Sequence, residues 1–123
     1  MANLNRIEII GNCGKAPEMR FTPTGRPVTS FSVAVNSKFN ETESTEWFNV
    51  ITWNKLAETC NQFLAKGQQV FVEGRLKTHS WDDKEGVKHY KTEVIASRVL
   101  FLGKREDIKG PEPTEITPED IPF

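Results

Sequence analysis

The stretch Glu46–Gly74, EWFNVITWNKLAETCNQFLAKGQQVFVEG, holds a strand, one helix and the start of another strand. In Glu46–Trp53, Trp47 and Trp53 share parity with each other and oppose Phe48, Val50 and Thr52, which is the two-residue period of a strand. The period then changes. Leu56, Cys60, Phe63 and Leu64 fall at i, i+4, i+7 and i+8, one stripe of a helix that Asn54 can cap and Gly67 can close. From Gln69 the period of two returns, with Val70, Val72 and Leu76 on one side of a strand running towards Trp81.

Upstream, Ile7 and Ile9 alternate with Arg6 and Glu8 in a first strand that Gly11 and Gly14 bend, and Met19–Thr22 is a short extended piece ending at Pro23-Thr24-Gly25. Val28–Val35 is the second strand, with Phe31, Val33 and Val35 on one face and Ser30, Ser32 and Ala34 on the other. Polar residues 36–45, broken only by Phe39, read as a loop. Downstream, residues 82–86 (DDKEG) form a hairpin turn, and a fifth strand runs from His89 to about Leu102. Five strands with one helix between the third and fourth is the element order of the OB-fold, an all-β, partly open Greek-key barrel. A sandwich would not need the helix. The expected organisation is one folded domain over residues 1–104 and a disordered acidic tail over 105–123, where Pro, Glu, Thr and Asp replace any period.

A chain of 123 residues supports one modest core. It has no apolar run of membrane-spanning length and no signal-peptide pattern, so a cytoplasmic protein with no membrane partner is expected. Cys13 and Cys60, far apart in different elements, read as two free thiols; with His79 and His89 they offer four potential ligands, but no pair at zinc-type spacing. No metal and no cofactor is expected. There is no phosphate-cradling glycine loop, nucleophile motif or acid–base pair, and the chain does not read as an enzyme.

The net charge of −1 hides a division. Residues 1–105 carry 15 Lys and Arg against 11 Asp and Glu, a net of +4, whereas residues 106–123 carry one Lys against six acids, a net of −5. Within the basic body, aromatic residues keep polar company. Phe39 lies between Lys38 and Asn40, Trp47 and Trp53 occupy one strand face about 20 Å apart at ~3.3 Å per residue, and Trp81 precedes the Asp-Asp turn. Single-stranded nucleic acid suits such a surface, because every base has a π-face for a ring and every linkage a phosphate for an interleaved Lys. At the far end, Pro118 and Pro122 exclude regular structure around Glu119, Asp120, Ile121 and the terminal Phe123. An aromatic ring, a free carboxylate and two acids held together there suit a partner with an apolar pocket and an Arg or Lys rim.

The segments Asn3–Arg20 (NLNRIEIIGNCGKAPEMR), Thr45–Phe48 (TEWF), Lys55–Glu58 (KLAE), Leu64–Gly74 (LAKGQQVFVEG, followed by RLKTHSW), Tyr90–Val94 (YKTEV) and the terminal EDIPF together resemble the bacterial single-stranded DNA-binding (SSB) protein family. The resemblance implies stacking of single-stranded DNA on Phe39, Trp47, Trp53 and Trp81, and phosphate contacts from Lys55, Lys66 and Lys77. It further implies a homotetramer with Phe48 between subunits, a place in the bacterial nucleoid, and recruitment of replication, recombination and repair enzymes through Glu119, Asp120, Ile121, Pro122 and Phe123. The chain departs from the family's pattern in a linker of under twenty residues, an acidic run of only Glu-Asp, and His79 and His89 where Arg is common. The competing reading is an OB-fold accessory or protein-interaction module of the primosome type, which would lack the acidic, Phe-terminated tail.

Overall fold

The computed structural model describes residues 1–103. The elements run β1 (Ile7–Cys13), β2 (Glu18–Phe21), β3 (Pro27–Phe39), β4 (Thr42–Trp53), α1 (Asn54–Phe63), β5 (Gln69–Asp82) and β6 (Lys88–Phe101). The sheet order is β1-β5-β6-β4-β3-β2, and the pairing of β1 with β3 closes β1, β5, β6, β4 and β3 into a five-stranded barrel, with β2 as a short edge strand on β3. The all-β OB-fold with its single helix between the third and fourth long strands is therefore present. All of these pairings are antiparallel except β4 with β6, where Ile51 lies beside Ile95.

The interior is lined by β-branched residues, which lose little rotamer freedom in a strand and pack well on a pleated surface. Val33, Val50, Val70, Val72 and Val99 are fully buried, with Phe31, Val94 and Phe101 almost so. Along β6 the inward positions are Val94 and Ala96, then Val99 and Phe101, a change of parity. A bulge causes it: Glu73 pairs with Arg98 and Gly74 with Ala96, leaving Ser97 as the extra residue. Gly74 is needed at this crossing, since a Cβ there would come within 2.8 Å of the Ala96 Cα.

The helix closes one end of the barrel. Its buried side is Ala57, Thr59 and Cys60, continued by Leu64 just beyond it, with Leu56 half-buried, while Phe63 is exposed and so does not belong to the stripe its spacing predicts. Two buried threonines lock the helix down. Thr29 Oγ1 donates to Ala57 O at 2.7 Å, and Thr52 Oγ1 donates to Thr29 O at 2.9 Å. Burial pushes the Cys60 thiol up to about 12 and also raises that of Cys13, whose Sγ donates to Lys15 O; both cysteines are free and stay protonated near neutrality.

Three local expectations are corrected. Residues 36–45 are not a loop: β3 and β4 continue as a two-stranded ribbon to a two-residue turn, Asn40 and Glu41, with φ of 51° and 65°. The ribbon runs past the core with both faces in water, so it carries no apolar alternation for the sequence to show; Ser37 with Ser44, and Thr45 with Asn36, pair across it. Asn54 does not cap the helix. It opens it at φ 58°, and its Oδ1 accepts from Arg26 Nε instead. The helix ends at an extended Leu64, and Gly67, at φ 84°, turns the chain into β5 while donating to Cys13 O. The tail over 105–123 with its tip, Glu119 to Phe123, lies outside the described residues, as does Lys104.

The threonine lock gives a direct test. Thr29→Val keeps the shape and removes one buried hydrogen bond, so urea unfolding should show a loss of about 1 kcal/mol with the m-value unchanged. No loss would mean that the bond to Ala57 does not hold the helix on the barrel.

Candidate nucleic-acid interface

Residues directly opposite each other in a sheet point to the same side, so the register places the exposed side chains without further assumption. On β4 the outward residues are Trp47, Asn49, Ile51 and Trp53. Ile51 lies beside Ile95 of β6, whose outward series is His89, Lys91, Glu93 and Ile95. These oppose Trp81, His79, Lys77 and Arg75 of β5 in that order. On the other flank, Val28 and Ser30 of β3 oppose Trp53 and Ile51, and Arg20 of β2 opposes Val28. One outer face therefore runs from β2 through β3, β4 and β6 to β5. It carries all three tryptophans.

At its centre lies a groove of about 540 Å³, floored by Val28, Ile51, Trp53 and Ile95 and rimmed by Arg20, Arg26, Arg75, Lys77 and His79. Among the described residues, Glu93 is the one carboxylate in it. Its oxygens hold His79 Nε2 at 2.9 Å on the groove and Lys91 Nζ at 3.5 Å beside it. A smaller hollow lined by Lys15, Ser30, Ser32, Asn49 and Lys91 shares Arg20, Ile51 and Glu93 with the groove, so the two are continuous.

The aromatic rings are held in different ways. Trp47 lies over Gly14, where an added Cβ would sit 2.5 Å from its Cζ3, and the residue remains 59% exposed. Trp53 is half-buried under the guanidinium of Arg26, 4.9 Å from the ring centroid. Trp81 stacks on His89, centroids 5.5 Å apart and planes 21° from parallel. His89 Nε2 in turn bonds Asp83 Oδ2 at 2.8 Å. That bond, with the backbone N–H groups of Val87 and Glu85, lowers the Asp83 carboxyl below the usual carboxylate range.

The structure does not bring every expected residue to this face. Phe39 is well exposed near the ribbon's tip, but its parity is that of Val35, opposite to Trp47. Lys77 lines the groove; Lys55, in the first turn of α1, and Lys66, in the connection to β5, are exposed and do not. Phe48 is half-buried against the core of its own chain and lies on the opposite side of β4 from this face. Sequence reasoning missed Arg20, Arg26 and Arg75. The signal for Arg75 was present in the alternation Arg75, Lys77, His79, Trp81, all on one side of β5.

The match to a known family spans almost all of the described residues, 4–102, and the family is the single-strand binding protein family. The chain belongs to it. Among similar proteins are a single-stranded DNA-binding protein 1 of Xylella fastidiosa, 42% identical over 87% of this chain and 83% of its own length, and a namesake from Chlorobaculum tepidum, 42% identical over 87% and 70%. The single-stranded DNA-binding protein of Neisseria meningitidis is 36% identical over 92% of this chain and 68% of its own length. Among solved structures, a Plasmodium falciparum SSB complex with ssDNA superposes with a TM-score of 0.78 at 27% identity, covering 84% of this chain and 98% of that one.

The contact between Gly14 and Trp47 is testable. Gly14→Ala should push the indole off its seat, shifting the tryptophan emission and weakening binding to oligo-dT, with little change in unfolding midpoint. An unchanged emission spectrum would show that the ring does not rest there.

Proposed function

We propose that the chain binds single-stranded DNA, without strong base preference, along the outer face of β2, β3, β4, β6 and β5. Single-stranded DNA binding goes with the family; the route across this face is the proposal. The observation that carries it is the meeting of three tryptophans with a cation-rimmed groove on one continuous surface. Bases stack on Trp47 and Trp81 and lie over Trp53, and phosphates follow Arg20, Arg26, Arg75 and Lys77, with Lys55 and Lys66 extending the path beyond the groove. Phe39, on the opposite face of the ribbon, meets the strand only where it wraps round the tip. Aromatic faces do not discriminate among bases, and a row of charges does not read sequence.

The assembly proposed is a homotetramer in the bacterial cytoplasm, in contact with the nucleoid. Phe48 contributes to it, and the outer faces of β1, β5 and β6 offer a second surface, because Ile10, Phe71 and Leu100 lie side by side there with Ile10 53% exposed. The tip from Glu119 to Phe123 recruits replication, recombination and repair enzymes by its ring and carboxylates, which favours this reading over that of an accessory module. Among the described residues no group could hold a metal ion, and no helix is long and apolar enough to cross a membrane.

Oligo-dT should quench the tryptophan fluorescence. Trp47→Ala and Trp81→Ala should each cost about 1–3 kcal/mol of binding, and affinity should fall with salt by a slope of about −0.7 per phosphate contact. Folded variants that bind as the parent does, or a flat salt response, would remove the face from the binding path. For the assembly, light scattering should give a tetramer that Phe48→Lys reduces. Deleting Glu119–Phe123 should keep the tetramer and abolish capture of repair enzymes in a pull-down; capture by the truncated chain would exclude the tip.

A further inference from the structure

Among the described residues, Arg26 is the one rim cation with an aromatic ring beneath it. It follows the turn at Gly25 (φ 89°), where its backbone N–H donates to Thr22 Oγ1 at 3.1 Å and its carbonyl accepts from Thr22 N–H at 2.9 Å. The chain at Arg26 is thus fixed on both sides of its Cα. Its side chain reaches over the groove, places the guanidinium carbon 4.9 Å from the Trp53 centroid, and donates from Nε to Asn54 Oδ1 at 3.3 Å. Asn54 holds that acceptor in place by taking a left-handed φ of 58°, which asparagine tolerates better than most residues. Two local devices, a turn and a helix start, converge on the orientation of one guanidinium.

The consequence concerns Trp53. One face of its indole is covered, and the ring is half-buried, so a base cannot reach that face while Arg26 lies on it. We infer that Arg26 is the stacking surface at this position: a base lies on the outer face of the guanidinium, with Trp53 beneath as the second layer, and the terminal amines face the adjoining phosphate. A guanidinium is planar and weakly hydrated and presents its donors in its own plane, so it can stack and bind an anion at once; an ammonium cannot. Arg26 is therefore a DNA-contacting residue, and Asn54 a positioning residue that acts through it. This rests on the proposed function.

The test uses the full chain and short oligo-dT, titrated over a series of salt concentrations, for the parent, Arg26→Ala, Arg26→Lys, Asn54→Ala and Trp53→Ala. Arg26→Ala should weaken binding roughly tenfold, with a salt slope smaller by about 0.7. Arg26→Lys should recover the slope but not the affinity. Asn54→Ala should weaken binding roughly threefold at an unchanged slope while circular dichroism shows the variant fully folded, so that loss of folded protein does not account for the change. The opposing result is a cover that must be lifted: Arg26→Ala would then bind as tightly as the parent or more tightly, and the inference falls. If Trp53→Ala still weakens binding in that case, the proposed function stands without it. A parent that fails to bind oligo-dT overturns the proposed function itself.

Discussion

The barrel has a valine-lined interior and a cation-lined exterior because β6 carries one residue more than its partner strand at a single point. Val94 and Ala96 face inward above Ser97, Val99 and Phe101 below it, and no unbroken two-residue period could satisfy both pairs. Without the extra residue, either the lower wall would turn Arg98 and Leu100 inward, or the upper wall would bury Glu93 and Ile95 and expose Val94. Burying a carboxylate without a partner costs far more than a misplaced valine. The bulge therefore settles which side of β6 meets solvent above it, and so sets His89, Lys91, Glu93 and Ile95 on the same side as Trp81, His79, Lys77 and Arg75 of β5, whose own period is unbroken.

How much was legible in the sequence follows from the same rule. Where a strand has one face buried, alternation shows, and the parity of Trp47, Trp53, Phe31 and Val33 could be read directly. The ribbon of residues 36–45 has no buried face, so its pairing is held by backbone bonds and polar cross-strand pairs that leave no hydrophobic period. The helix was legible as a helix but not in its ends: Asn54 is a frequent capping residue, yet here it serves the arginine across the groove. Arg20 and Arg26 were not legible because a short edge strand and a turn carry them, and only the pairing of β2 with β3 and of β3 with β4 brings them to Trp53.

The site obeys a division of labour between ring and anchor. None of the tryptophans stands alone: Trp47 has Gly14 beneath it, Trp53 has Arg26 above it, and Trp81 has His89 beside it with Asp83 behind. Ordering a free indole only on binding would cost side-chain entropy at each contact. Rings already seated lose less, and along the proposed path, which makes no base-edge hydrogen bonds, nothing else would recover that loss.

The polar ribbon at the end of β3 and β4 has a different consequence. It touches none of the valine core, so its stability is local, and it can open without unfolding the barrel. Lengthening it adds rungs or a longer turn at a closure cost that grows only with the logarithm of its length. Two residues inserted in register would carry Phe39 outwards by one rung and leave every buried position where it was. On the proposed path, the reach of the protein along a nucleic-acid strand is thus a quantity that can drift while the fold stands still.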